Sequence, residues 1–349
     1  MSARYRLFGS IGSPYALKLR ALMRYRRLPF DWVPASIDWL PDGLAREPAS
    51  KAANEEIAHV RPPVIPVLRF PDGDYRNDTT PLAYELEQRH VERRVVPHDP
   101  ALAFLSHLLE DMADEWGVKI AFHYRWGHAT DAAFKSRIVA AELLGGGFDI
   151  ATRIAAGQHF ARRQQSRMPL VGCTPETAPL IETVYVRVLD IIERLLPTST
   201  FLFGERPSLA DFGWYGQLMS LATDPTPTAV MAARAPSTYE WLQVLDDASG
   251  VGGAWVDPAA PPCEALADFL TLAGKIYLPF LAANAAAFEA GETHFTCEAL
   301  GHRFTQSVFR YQVRCYAWLK EEFAALDDVS RARTEYVLGA CDAVRLLAD

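Results

Sequence analysis

The sequence predicts an α/β N-terminal domain joined to a larger all-α domain. Three observations carry this expectation. Residues 1–90 alternate short apolar strand patterns with helical periodicity, in the order β-α-β-α-β-β-α. "VERRVVPHDP" (91–100) interrupts that pattern and reads as a linker. From 101 to 349 most segments are amphipathic at helical spacing. The chain has 349 residues, 50% of them apolar and 22% charged, which is long enough for two domains.

"YRLF" (5–8) is a short strand, and "GSPYALKLRALMRY" (12–25) opens a helix at Ser13-Pro14. Ala16, Leu19, Leu22 and Met23 share one face of that helix. "FDWVPA" (30–35) has strand composition, and a short helix is expected near 50–58. "VIPVLRF" (64–70), then "PDGD", then "YRND" predicts a hairpin turning at Asp72-Gly73. "TTPLAYELEQRH" (79–90) starts a helix with threonine as cap and proline in the first turn. Beyond the linker, helices are expected at 100–127, 131–143, 148–166, 176–195, 208–222, 236–247, 264–289, 308–325 and 329–347. "PSLAD" (207–211) is a capping signature in which Asp211 reaches back to the Ser208 amide. "HFTCEALGHRFTQSVF" (294–309) alternates around Gly301 and fits a hairpin.

A net charge of −8 argues against a nucleic-acid partner. The cysteines at 173, 263, 297, 315 and 341 form no CxxC pair and have no zinc-like spacing, so no metal is expected. "FLTLAGKIYLPFLAANAAAF" (269–288) is about long enough to span a bilayer. It contains Lys275, and a lysine at the bilayer centre costs about 3 kcal/mol. A buried or kinked helix is expected there, and no membrane partner. "MSARYRLFG" leads directly into a strand, with no signal-peptide pattern. The expected location is the cytoplasm.

Three local patterns share one order and spacing: "SPYALKLR" (13–20), "VIPVL" (64–68) and "NDTTPLAYELE" (77–87). Together they resemble the glutathione transferase superfamily, and "SLAD" is similar to the capping box of its helical domain. The resemblance covers roughly residues 4–247. It implies a thioredoxin-like N-terminal domain, glutathione as co-substrate, a small apolar electrophile, a role in detoxification and a homodimer. Residues 250–349 match nothing in that motif set. Val64 stands where many members carry a lysine, Thr79 replaces a serine, and Phe8 stands where the tyrosine-type classes have tyrosine. Ser13 rather than cysteine turns the expectation from thiol exchange to thiolate stabilisation.

On this resemblance, Ser13 is the catalytic residue. A cysteine thiol titrates near 8.5, and lowering it by about two units corresponds to about 2.7 kcal/mol. A hydrogen bond to a charged acceptor contributes about 1.5–3 kcal/mol. A helix N-terminus adds about 0.3–1 kcal/mol, or up to about 2 when partly buried. Read alone, Ser13-Pro14 is equally an N-cap worth about 1 kcal/mol. Tyr15 is the other possible donor to the thiol. The resemblance implies a cis Ile65–Pro66 bond that presents the Ile65 backbone to the cysteinyl residue. It assigns Thr79 to the γ-glutamyl carboxylate and Asp78 to the amine. A cap with a dipole-stabilising acid is the plain reading of that pair. Arg20 reads as a structural ion pair. Trp116, Ile120, His123 and Tyr124 can share one face of the first long helix, as a pocket wall for the electrophile or as core. Other readings of the same site are a non-catalytic binding or interaction protein, or a glutathione-dependent lyase, dehalogenase or isomerase.

Overall fold

The computed structural model describes residues 4–35, 48–339 and 343–348. Residues 36–47 and Cys341 lie outside them. The N-terminal unit runs β1 (Tyr5–Gly9), α1 (Pro14–Tyr25), β2 (Phe30–Pro34), α2 (Pro48–Ile57), β3 (Val67–Arg69), β4 (Tyr75–Asn77) and α3 (Thr79–Arg89). Its sheet has the order β2-β1-β3-β4. β1 and β2 are parallel, while β3 is antiparallel to β1 and β4 to β3. Side chains alternate across β1. Leu7 faces the core shared with α1, α3 and the helical unit, and Phe8 faces a separate cluster with Ala53, Ile57 and Val67. Burying a leucine or phenylalanine in this way contributes about 1.5–3 kcal/mol.

The helical unit continues with α4 (Pro100–Met112), α5 (Val118–Gly127), α6 (Ala129–Leu144), α7 (Ile150–Gln165), α8 (Ala178–Leu195), α9 (Leu209–Leu221), α10 (Pro225–Arg234) and α11 (Pro236–Asp246). A π-helical turn, Ala113–Gly117, joins α4 to α5, so the expected single helix is continuous but locally widened and underwound. Helix α10, which contains Pro225 and Pro227, is not among the expected helices. Both sit in its first turn, where an amide has no intrahelical partner to lose. The expected capping box of α9 is formed: the Asp211 carboxylate accepts from the Ser208 and Leu202 amides, each at 2.8 Å.

The remainder forms α12 (Glu264–Leu272), a second π-helical turn (Ala273–Tyr277), α13 (Leu278–Glu289), a hairpin of β5 (His294–Ala299) and β6 (His302–Ser307), α14 (Arg310–Ala324), α15 (Asp328–Leu338) and α16 (Ala343–Ala348). The hairpin turns through Leu300 and Gly301, at φ 51° and 77°. Two successive left-handed residues match the twist of paired antiparallel strands. Glu264–Glu289 is long and apolar enough to cross a membrane, yet 67% of its most apolar stretch is buried in the helical unit. Cys173, Cys263, Cys297 and Cys315 are free thiols.

This C-terminal extension lies against α3, α4 and the first π turn. Trp318 of α14 packs on His107 of α4 and Tyr84 of α3, with ring centroids 4.6 and 5.5 Å apart. His107 Nδ1 and Glu322 Oε2 are 2.7 Å apart. Tyr277 donates to Asp111 Oδ2 at 2.6 Å, linking the second π turn to α4.

Candidate functional site

The sheet register draws three distant segments together. Phe8 of β1 opposes Val67 of β3, and Val67 opposes Asn77 of β4. One residue further in the same register come Gly9 at the end of β1, Pro66 and Asp78. The β1–α1 loop, the Ile65–Pro66 peptide and the start of α3 thus share one end of the sheet. The Ile65–Pro66 bond is cis, as is Arg61–Pro62.

Ser13 is the N-cap of α1, with extended backbone at φ −98° and ψ 117°. Its hydroxyl accepts from the Ala16 amide at 3.3 Å. Among the described residues the Ser13 hydroxyl proton meets no acceptor, and the side chain is partly exposed. The loop before it is held from the helical unit. Glu142 of α6 accepts from the Ile11 amide at 2.9 Å and from the Ser10 hydroxyl. Arg125 of α5 donates to the Gly12 carbonyl at 2.8 Å while paired with Asp224 at 2.6 Å. Gly216 of α9 sits so close to α1 that a Cβ there would lie 2.5 Å from the Pro14 carbonyl oxygen. Only glycine lets the two backbones approach in this way.

Tyr15 donates its hydroxyl to the Asp114 carbonyl at 2.9 Å, and burial pushes its pKa well above the usual value. Its proton is therefore already engaged. Arg20 pairs with Asp246 at 3.0 Å, as a structural link to α11.

The other end of the site differs from the expectation of open donors at the start of α3. Asp78, not a threonine, occupies the N-cap position, at φ 76° and without a side-chain cap bond. Its carboxylate accepts from the Tyr311 hydroxyl of α14 at 2.8 Å. Burial raises the Asp78 pKa, against the lowering effect of that bond. Thr79 is 4% exposed and its hydroxyl is in use: it accepts from Lys18 Nζ at 3.2 Å and donates to Asp114 Oδ2 at 3.3 Å. Lys18 is buried and also contacts Glu110 and, at 2.6 Å, Asp114. Burial alone would lower the lysine pKa, but the two carboxylates reverse the direction and hold it charged.

Trp116, Ile120, His123 and Tyr124 do share a helical region, but the extension and α8 cover it. Trp116 and Ile120 are fully buried, and Trp116 packs on Phe280 and Phe304 at 5.3 and 5.0 Å. Tyr124 packs on Tyr185, and His123 bonds Glu182 at 2.8 Å. These four residues form core and ion-pair contacts here, because the β5–β6 hairpin fills the space beside Trp116. Lys18, Asp114, Glu142, Arg125 and Tyr311 escaped the sequence reading. Each acts across 92 to 233 positions of chain, where no local pattern signals the contact.

A glutathione S-transferase N-terminal domain model matches residues 7–94, and a glutathione S-transferase C-terminal domain model matches residues 174–244. The chain belongs to the glutathione transferase superfamily. Neither model reaches the extension beyond residue 244. No curated protein matches the chain significantly. Among solved structures it is similar to a glutathione S-transferase of Methylobacterium radiotolerans in complex with glutathione sulfonate. That pair shares 22% identity over 73% of this chain and 97% of the other, with a TM-score of 0.41. Beta-etherase LigF from Sphingobium sp. strain SYK-6 shares 18% identity over 77% and 98%, with a TM-score of 0.46. FzlA from C. crescentus shares 18% over 76% and 92%, with a TM-score of 0.42. Similarity at this level carries no functional argument.

Proposed function

We propose that this superfamily member binds glutathione at the shared end of the sheet and uses its thiolate to attack a small apolar electrophile. The observation that carries the reading is the strand register, which brings Ser13, Ile65–Pro66 and Asp78–Thr79 to one edge. Ser13 donates its free hydroxyl proton to the thiolate sulfur, inside the positive end of the α1 dipole. The thiol proton passes to solvent. The sulfur then forms a bond to the electrophilic carbon, and the leaving group departs with its electron pair. The engagement of Tyr15 with Asp114 supports Ser13 as the donor. In this reading Ile65 pairs with the cysteinyl backbone, while Asp78 and the α3 N-terminus hold the γ-glutamyl end. Action as a cytoplasmic homodimer in detoxification belongs to the same proposal, and light scattering measures its assembly. A lyase or isomerase reaction would draw on the same thiolate.

A second reading, a non-catalytic binding or interaction protein, is favoured by one observation. The Thr79 hydroxyl and the Asp78 carboxylate already have protein partners. Calorimetry with glutathione, combined with turnover of a chloro-nitroarene, separates the two readings. Binding with turnover that falls in Ser13→Ala supports the enzyme. Binding without turnover leaves the second reading, and loss of both overturns the glutathione site.

A further inference from the structure

His123, His128 and Glu182 converge where α5 turns into α6 and α8 crosses the corner. Each offers one ligand atom, and the three atoms lie within 4.8 Å of one another. His123 Nε2 and Glu182 Oε1 are 2.8 Å apart. The convergence depends on a break in the helix. On one continuous helix, residues five apart point about 140° away from each other. Helix α5 instead ends at Gly127, and His128 takes an extended backbone at φ −99° and ψ 125°. That conformation returns the His128 ring to within 5.5 Å of the His123 ring.

The surroundings orient the same three groups. His128 lies flat on Tyr124, with centroids 5.5 Å apart and planes 10° apart. Tyr124 packs in turn on buried Tyr185, at 5.1 Å. Tyr185 is three residues beyond Glu182 on α8, so the two side chains occupy neighbouring positions of one helix. His123 is 9% exposed, whereas the Glu182 side chain is 48% exposed. The site therefore has a fixed inner wall and an adjustable outer ligand. An ion pair accounts for His123 and Glu182, but not for the third ligand atom, from His128, beside them.

We propose that these three residues bind one divalent transition-metal ion, with zinc as the best-matched occupant. Two imidazole nitrogens and one carboxylate oxygen suit zinc, nickel and copper, and are a poor match for oxygen-seeking calcium or magnesium. Three protein ligands leave a fourth tetrahedral position for water. Zinc ligands at about 2.0–2.2 Å in a tetrahedron stand about 3.3–3.6 Å from one another. The 2.8 Å pair needs only a small opening, which the exposed Glu182 side chain can supply. The bound ion clips α8 to the α5–α6 corner. The expectation of no metal rested on sequence spacing, and Glu182 lies 54 positions beyond His128, outside any local motif.

The test uses the full chain after chelator treatment. Zinc is titrated by calorimetry, and cobalt(II) is added to read the visible absorption of a tetrahedral site. The expected result is one zinc per chain, a cobalt spectrum, and a thermal midpoint that rises with zinc. His128→Ala and Glu182→Gln should each weaken zinc at least about tenfold and abolish the thermal shift. Glu182→Gln is nearly isosteric at an exposed position, so its circular dichroism should match the parent. No zinc binding by the parent chain overturns the proposal. So does parent-like zinc affinity in both variants, which would place the ion elsewhere, for example at exposed Cys263.

Discussion

The two ends of the candidate glutathione site are built differently. At the Ser13 end the loop is short, the hydroxyl proton has no acceptor among the described residues, and the positioning contacts come from Arg125 and Glu142 behind it. At the Asp78–Thr79 end both side chains are already bonded, to Lys18 and Asp114 below and to Tyr311 of the extension above. The first end is prepared to donate to a newcomer. The second must exchange protein partners for ligand partners. The contrast explains how one fold supports both the catalytic and the binding-only reading.

Breaking the closed end from below should have the largest effect. Lys18→Met leaves Glu110 and Asp114 buried without their cation, and should cost about 3–5 kcal/mol in denaturant unfolding. The loss should shrink in acid, where Asp114, raised to about 7 by burial, takes a proton. Next comes the open end. Ser13→Ala should lower turnover by about 10- to 100-fold and raise the pKa of bound glutathione thiol, read by its thiolate absorbance. Turnover that survives undiminished would remove Ser13 from the mechanism.

Smaller effects sharpen the comparison. Tyr311→Phe removes the competitor for Asp78. It should tighten glutathione by several-fold, about 1 kcal/mol, and calorimetry reads the change. Val64 is 45% exposed. Val64→Lys should add a solvent-screened contact to a glutathione carboxylate, worth about 0.2–1 kcal/mol, or at most about fivefold in affinity.

The buried acids also set a pH dependence. Desolvation raises Asp111 and Asp211 to about 6, whereas in an unfolded chain both titrate near 3.9. Between those values the folded chain holds more protons, so acid favours folding there. Their contribution is complete below about pH 4 and is lost as pH rises through about 6. His107, raised overall because Glu322 and its acidic neighbours outweigh burial, acts in the same direction. His90, lowered by burial, opposes it. Asp246 and Glu193, whose hydrogen bonds hold them below their usual values, lose their contribution only below about pH 4. The thermal midpoint should therefore fall from pH 5 to pH 8.

Much of the fold could be read locally. Strand alternation, the Asp72-Gly73 turn, the Ser208–Asp211 box and the amphipathic helices each depend on residues within a few positions of one another. The Ser13 end was legible for the same reason, since a cap and its helix are contiguous. The Trp116 region was not. Helical spacing shows that Trp116 and Ile120 share a face, but not that a hairpin near residue 300 will cover it.

By itself, then, the sequence determined the order of elements in the N-terminal unit, the caps at Ser13 and Ser208 and the residue types at that end of the sheet, because short-range sterics and hydrogen bonds decide these. Tertiary structure alone decided which donors stay free. Glu110 and Asp114, arriving from α4 and the π turn, offset the effect of burial on the Lys18 charge, and Asp78 is closed because Tyr311 of α14 bonds it. The physical reason is desolvation. A buried polar group must find a partner, and packing chooses that partner from anywhere in the chain.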